Sequence, residues 1–318
     1  MATLIGTDEA GYGPNLGPLV ISATAWRVPG EASSVDLYHA LQHVVRRDAA
    51  SREHIPIADS KALYKPGGGL MHLERGVLTA LHACDAKVAR WRDAWHRLAP
   101  RDAASLDEVP WYDGFDAKLP IDLPPADLSQ DGHRLKAGCA AAKIALQDVR
   151  SAAVFPARFN ALLDRHGSKG AALSLETLEL VRHMLDQCDD PNIVIQCDKH
   201  GGRNHYSALL QTVFPEQLAE VVHESRQSSV YRWVAQRQRV EIRFVAKGES
   251  FLPAALASMT SKYLRELAML AFNHFWRQHL PALKPTAGYP VDAKRFKADI
   301  ATIQHKLGVD DRILWRRK

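Results

Sequence analysis

Apolar positions open the chain as a short run and then stop at two adjacent carboxylates, Asp8 and Glu9, in "IGTDEAGYGPNLGPLVI". Residues 3–9 read as a strand, and the β-branched "LVISATAWRV" as a second one, joined to it by a glycine-rich, hairpin-like link. Helical spacing follows in "SSVDLYHALQHVVRRD", behind a Ser/Asp start, and again after the "KPGGG" break in "GGLMHLERGVLTALHACDAKVARWRDAWHRL", as one long helix or two short ones. Between residues 99 and 138 the pattern dissolves into Pro, Asp and Gly. That composition predicts an inserted surface segment whose Trp111, Tyr112 and Phe115 dock onto the body.

Periodic patterning resumes with the helix "LSLETLELVRHMLDQC" and the buried-type strand "NIVIQCD", which ends in Asp198. "SALLQTVF" and "PEQLAEVVHE" read as helical pieces, while "SSVYRWVA" and "RVEIRFVAKGE" alternate as a strand pair that stops at Gly248-Glu249. "LPAALASMTSKYLRELAMLAFNHFWRQHL" predicts a long amphipathic helix opened near Pro253, with Ser258, Lys262 and Arg265 on neighbouring turns of one side. Strands alternating with helices argue for an α/β fold.

Composition changes this picture only in part. A chain of 318 residues with 46% hydrophobic content buries a full core, as one large domain with insertions or as two domains. No apolar run reaches the roughly 18 to 20 residues of a membrane span, and the first residues lack a secretory pattern, so a cytoplasmic protein without a membrane partner is expected. Cys84, Cys139, Cys188 and Cys197 are widely spaced and fit reduced structural thiols; the 15 histidines show no ligand spacing. Charge is more informative. Residues 203–318 hold 19 Lys and Arg against 10 Asp and Glu, a net +9 within an overall +5. Such a basic third suits a polyanion, nucleic acid first, or is a solvated basic face.

Three predicted strands end in acids: Asp8 with Glu9, Asp198 and Glu249. Neighbouring strands lie about 5 Å apart, so such carboxylates can converge on a hard divalent cation, Mg²⁺ or Mn²⁺ in preference to zinc. Separate turn residues or ion-pair partners are the plainer reading of the same acids.

Five segments in order resemble a known family. "TDEAGYGPNLGPLVISA" is similar to the "DEAGRGxxxGPVVAA" opening of the type 2 ribonucleases H, the ribonuclease HII and HIII group, and "IADSKAL" resembles its "DSKKL". "IQCDKHGG" matches a strand ending in Asp-Gly. "VAKGESFLPAALASMTSKYLRELAM" resembles the Gly-Asp segment with its "AASIxAKxxRDxxM" helix, and "TAGYPVDAKRF" resembles "KGYxTxxH". The resemblance implies a ribonuclease-H-like mixed five-stranded sheet flanked by helices. Residues 1–260 would form the core, with an inserted segment at about 64–150 and an extra hairpin at about 207–240, and residues 261–318 a helical basic region.

It also implies a metal-dependent endonuclease that cuts the RNA strand of RNA/DNA hybrids, or ribonucleotides embedded in DNA, leaving 5′-phosphomonoesters in DNA replication and repair. A non-catalytic or differently specific nucleic-acid-binding relative of the same fold is the alternative. Asp8, Glu9, Asp198 and Glu249 would hold two Mg²⁺ or Mn²⁺ ions. Gly11, Tyr12 and Gly13 would read the junction, with Lys61, Lys199, Arg203, Ser258, Lys262, Tyr289, Arg316 and Arg317 at the substrate, in a monomer. Two positions depart from the pattern. Tyr12 stands where the family has Arg, and Glu249 where it has Asp, one methylene shorter.

Overall fold

The structure, a computed structural model, describes residues 1–235, 237–246 and 248–317, Glu249 without its side chain. Its strands are β1 (Ala2–Ala10), β2 (Leu19–Val28), β3 (Val45–Arg46), β4 (Ile55–Pro56), β5 (Ala145–Val154), β6 (Asn192–Asp198), β7 (Glu220–Glu224), β8 (Ser228–Ala235) and β9 (Gln238–Val245). Seven of them form one mixed sheet in the order β5-β2-β1-β6-β9-β8-β7, and β3 with β4 makes a short parallel pair. At the centre β1, β6 and β9 run parallel; β2 and β8 are antiparallel to their inner neighbours.

The expected sheet of five strands is therefore corrected to seven. β8 pairs with β9 as its alternation predicted, and β7 is added outside them. β7 comes from "PEQLAEVVHE", expected to be helical. All but the last of its residues are exposed, so no buried face marked it as a strand, and ladder pairing with β8 decides its state. β5 was likewise not anticipated: it pairs along β2, with charged Asp148 before its first buried position and Arg150 between its first and second. In the segment expected to be irregular, the polar helix Pro125–Ala141 packs on the helix Met71–Ala83. The expected helix after Ser34 shortens to Leu37–Ala40, because β3 takes over at Val45.

Two apolar layers sandwich the sheet. On one face the helix Leu252–His279 crosses β1 and β2, extended by Met71–Ala83 and Trp91–Leu98, around Trp26, Trp91, Trp95, Phe272 and Trp276. Trp111 and Tyr112 are buried within this aromatic cluster, as the sequence predicted for the insertion. The other face packs Ile5, Ile195, Tyr206 and Phe244 under the helices Pro156–His166, Lys169–Asp186 and Ser207–Val213.

Close approach of the long helix depends on small residues. An ideal Cβ on Gly6 would lie 2.1 Å from the Ala254 nitrogen, so backbone meets backbone there, two residues before Asp8. Thr24 Oγ1 donates to the Pro253 carbonyl (2.8 Å) at the same crossing. The insertion is pinned by buried Glu74, whose carboxylate accepts the N–H groups of Ile121 (2.6 Å), Asp122 (2.8 Å) and Leu123 (2.9 Å).

Candidate active site

Register brings the first two acids together. Thr7 pairs with Cys197 as the last partners of the parallel β1/β6 ladder, so Asp8 and Asp198 each come next on neighbouring strands, and Glu9 follows as β1 runs out. As residues all three are only partly covered, yet the carboxyl groups of Asp8 and Glu9 sit deep enough for burial to be the largest influence on their protonation. Burial pushes both pKa values well up. The Asp198 charge raises both further, Asp8 adds to the shift of Glu9, and hydrogen bonds from Ser258 and from the Glu9 backbone pull the other way at Asp8.

The long helix supplies the supports. Ser261 Oγ donates to the Asp8 carbonyl (2.9 Å) and lies 2.8 Å from Ser22 Oγ on β2. Ser258, buried one turn earlier, accepts from the Ser60 N–H (3.2 Å) and lies 3.1 Å from Ser60 Oγ. Thus the short helix Ser60–Leu63, capped by Asp59 through the Lys61 N–H (2.7 Å), is tied to the same serine that bonds Asp8. The Lys61 side chain is 89% exposed, and its charge acts on Glu9.

Tyr12 is partly buried, and burial first, then the Glu9 charge, raises its phenol pKa while the Arg203 charge lowers it. Of the two turn glycines only Gly11 is conformationally required. Its φ is +88° and an added Cβ would meet Arg265 Nε and the Pro18 carbonyl at 2.6 Å, whereas Gly13 has nothing within 4 Å. Tyr289, 51% exposed, follows Gly288, whose carbonyl accepts the Asn15 N–H (2.8 Å) and so abuts the same turn.

Several expected substrate contacts are spent within the protein. Arg316 is fully buried beneath the glycine turn, and exposed Arg317 pairs with Asp164 (2.6 Å). Lys199 Nζ donates to Asn204 Oδ1 (2.8 Å) and the Ser225 carbonyl (2.5 Å), and Lys262 Nζ bonds Glu266 (2.5 Å) above the Tyr64 ring. Of these four only Arg316 is closed to solvent; Lys199, Lys262 and Arg317 hold internal partners in this structure. Lys318 and the side chain of Glu249 lie outside the described residues; the backbone of Glu249 belongs to the 3₁₀ turn Gly248–Ser250 beyond β9, where Gln196 Nε2 donates to the Gly248 carbonyl (3.3 Å).

Arg265, to which the helix pattern assigns no role, also serves the site. Its Nη2 donates to the carbonyls of Leu16 (3.3 Å) and Ala287 (2.9 Å), fastening the glycine turn to the loop before Gly288. A signal for it was present: an arginine four residues after Ser261 and seven after Ser258 shares their sheet-facing side of the helix, where a charge needs a specific partner.

Oxygen-only donors whose charges oppose one another suit a hard divalent cation, so the chemistry of Asp8, Glu9 and Asp198 fits Mg²⁺ or Mn²⁺. Among the described residues no three His, Cys, Asp or Glu side chains already converge as a coordination shell.

Comparison with known proteins gives solved structures only. The chain is similar to the ribonuclease H2 of Pyrococcus horikoshii OT3, at 15% identity and a TM-score of 0.47, over 98% of this chain and 92% of that one. It is also similar to RNase HII in the PCNA:RNase HII complex of Archaeoglobus fulgidus (12%, TM-score 0.40, 99% and 94%) and to Bst-RNase HIII in complex with Mn²⁺ (14%, TM-score 0.41, 99% and 66%). Each is a ribonuclease H2, HII or HIII. No family model matches the chain, and no curated protein does.

Proposed function

We propose that this chain is a divalent-metal-dependent endonuclease of the type 2 ribonuclease H kind, acting on the RNA strand of RNA/DNA hybrids or on ribonucleotides embedded in DNA. The observation that carries the reading is the adjacency of Asp8 and Asp198 on the central parallel strands, with Glu9 beside them and all three carboxylates working against one another's charge. Hydrogen bonds and the Lys61 charge offset this cost only in part, since both pKa values stay raised, and a bound cation would offset the rest.

Asp8, Glu9 and Asp198 would hold the metal, joined by Glu249 if it takes the place of the family's last acid. Divalent ions bound there supply Lewis acidity for water activation and for the charge on the leaving 3′ oxygen. Ser258 and Ser261 keep Asp8 in place through its carboxyl and carbonyl groups. Lys61, whose charge acts on Glu9, and Arg203, whose charge acts on Tyr12, would meet the phosphate backbone, and the Gly11–Tyr12 backbone and the exposed Tyr289 ring would meet the sugars.

The experiment incubates purified protein with labelled RNA/DNA hybrid, DNA carrying one ribonucleotide, RNA duplex and DNA duplex, each with Mg²⁺ or Mn²⁺. Asp8→Asn and Asp198→Asn should abolish metal-dependent cleavage while the fold melts at or above the wild-type temperature, since a mutually repelling carboxylate has been neutralised. Unchanged cleavage in either variant overturns the assignment. Tight binding of hybrid with no cleavage in either metal would instead establish a binding protein of this fold.

A further inference from the structure

Residues 315–317 thread between the glycine turn and the helix Pro156–His166. Asn160 Nδ2 donates to the Trp315 carbonyl (2.8 Å), and its Oδ1 accepts the Arg317 N–H (2.9 Å). Facing the other way, the Arg316 N–H donates to the Asn15 carbonyl (2.8 Å), Asn15 Nδ2 returns a bond to the Arg316 carbonyl (2.8 Å), and Arg316 Nη2 reaches the carbonyls of Gly11 (2.6 Å) and Pro14. One residue thus makes four bonds to a turn that starts two residues after Glu9.

This guanidinium is buried without a carboxylate. It lies 4.9 Å over the Phe159 ring, its Nε and Nη1 find no hydrogen-bond acceptor among the described residues, and the charged group that acts on it, Arg265, has the same sign. Burial of a cation in such surroundings opposes folding, and an apolar side chain of similar length fills such a space at no electrostatic cost. What a guanidinium adds is a rigid planar donor that fixes two carbonyls three residues apart at one point.

Arg265 completes the arrangement by gripping the Leu16 carbonyl. Held at both ends, the turn leaves Gly13 exposed, with Gly11 and Tyr12 partly so, while Pro14 through Gly17 are buried.

We propose that Arg316 is a positioning residue: by holding the Gly11 and Pro14 carbonyls from beneath, it fixes the backbone that presents Tyr12 beside Glu9, and its loss misplaces the substrate without unfolding the protein. The catalytic half of this statement rests on the nuclease reading; the structural half does not.

Two variants test it, Arg316→Met, which keeps length and removes the grip, and Arg316→Lys, which keeps the charge on a single donor nitrogen. Melting temperature, amide hydrogen exchange over residues 11–17, and kcat and KM on hybrid substrate are measured for both. In Arg316→Met, exchange in the turn should quicken by about tenfold or more while the β1 and β6 amides stay protected and the melting temperature is nearly kept; kcat should fall by about tenfold to a hundredfold with KM within about threefold, as expected for misplaced reacting groups. Arg316→Lys should recover part of both. Unchanged exchange in the turn overturns the proposal whatever the kinetics, and so does global unfolding of both variants, which would make Arg316 a determinant of folding alone. Faster exchange with undiminished cleavage overturns the catalytic half. A wild type that cleaves nothing strikes the nuclease reading, and the exchange data still decide whether Arg316 holds the turn.

Discussion

Gly6→Ala places one methyl group where the long helix touches β1. The added Cβ would lie 2.1 Å from the Ala254 nitrogen, 2.3 Å from the Pro253 carbonyl carbon and 2.7 Å from the Ala254 Cα, all backbone atoms that no side-chain rotation can move aside. Relief requires the start of the helix Leu252–His279 to retreat by about 1 Å. The Thr24–Pro253 bond is lost or stretched at the crossing, and the Ser258 and Ser261 contacts to Asp8 are dragged with the helix. Overpacking of this kind costs about 1–3 kcal/mol, and each disrupted buried hydrogen bond roughly another 1. Against this, alanine restricts the unfolded chain and returns about 0.5–1 kcal/mol, because Gly6 does not sit at positive φ. The balance is a net loss of about 2–4 kcal/mol, which lowers the melting temperature by roughly 3–6 °C in a chain of this size. Gly13→Ala is the control: with no atom within 4 Å and no positive φ, it should melt within about 2 °C of wild type. Scanning calorimetry of the three proteins decides. A Gly6→Ala melting temperature at or above wild type would refute the claim that backbone contact at this crossing sets the helix against the acids.

Glu74→Gln should destabilise the protein by about 2–4 kcal/mol and speed proteolysis near residues 119–124, since at least one of the three backbone N–H groups then faces an amide NH2 that cannot accept; an unchanged urea midpoint would disprove the pinning role. Burial raises the thiol of Cys84 to about 11 and that of Cys139 to about 12, so both stay protonated at pH 8, and Cys84, the more accessible, should become reactive to disulfide reagents only as pH rises toward 11. Rapid labelling of Cys84 at pH 7 would contradict this. For binding to a DNA duplex, Lys61→Ala should reduce the steepness of the log affinity against log salt by about one unit and Arg317→Ala should leave it unchanged, because the first faces the acids and the second is held by Asp164. Equal slopes in wild type and Lys61→Ala would remove Lys61 from the interface.

How far the sequence carries differs between elements for a physical reason in each case. β1, β2, β6, β8, β9 and the long helix were legible because each buries one face or both, and burial imposes its period on the residue pattern. Edge positions do not. β7 and β5 obtain their state from ladder bonds to a neighbour, and the helix Pro125–Ala141 from docking on Met71–Ala83, so their own residues carry weak periodicity. At the site, the motif order marked Asp8, Glu9 and Asp198, and the parallel register of β1 and β6 then set Asp8 beside Asp198. The basic residues went the other way. A Lys or Arg in a sequence shows its charge but not its nearest acceptor, and only tertiary packing decided that the charge of Lys61, 4.0 Å from Asp59, also acts on Glu9 while Lys199, Lys262 and Arg316 turn inward to carbonyls and carboxylates. Long cationic side chains span several ångströms, so the partner they find is a property of the folded protein rather than of their position in the chain.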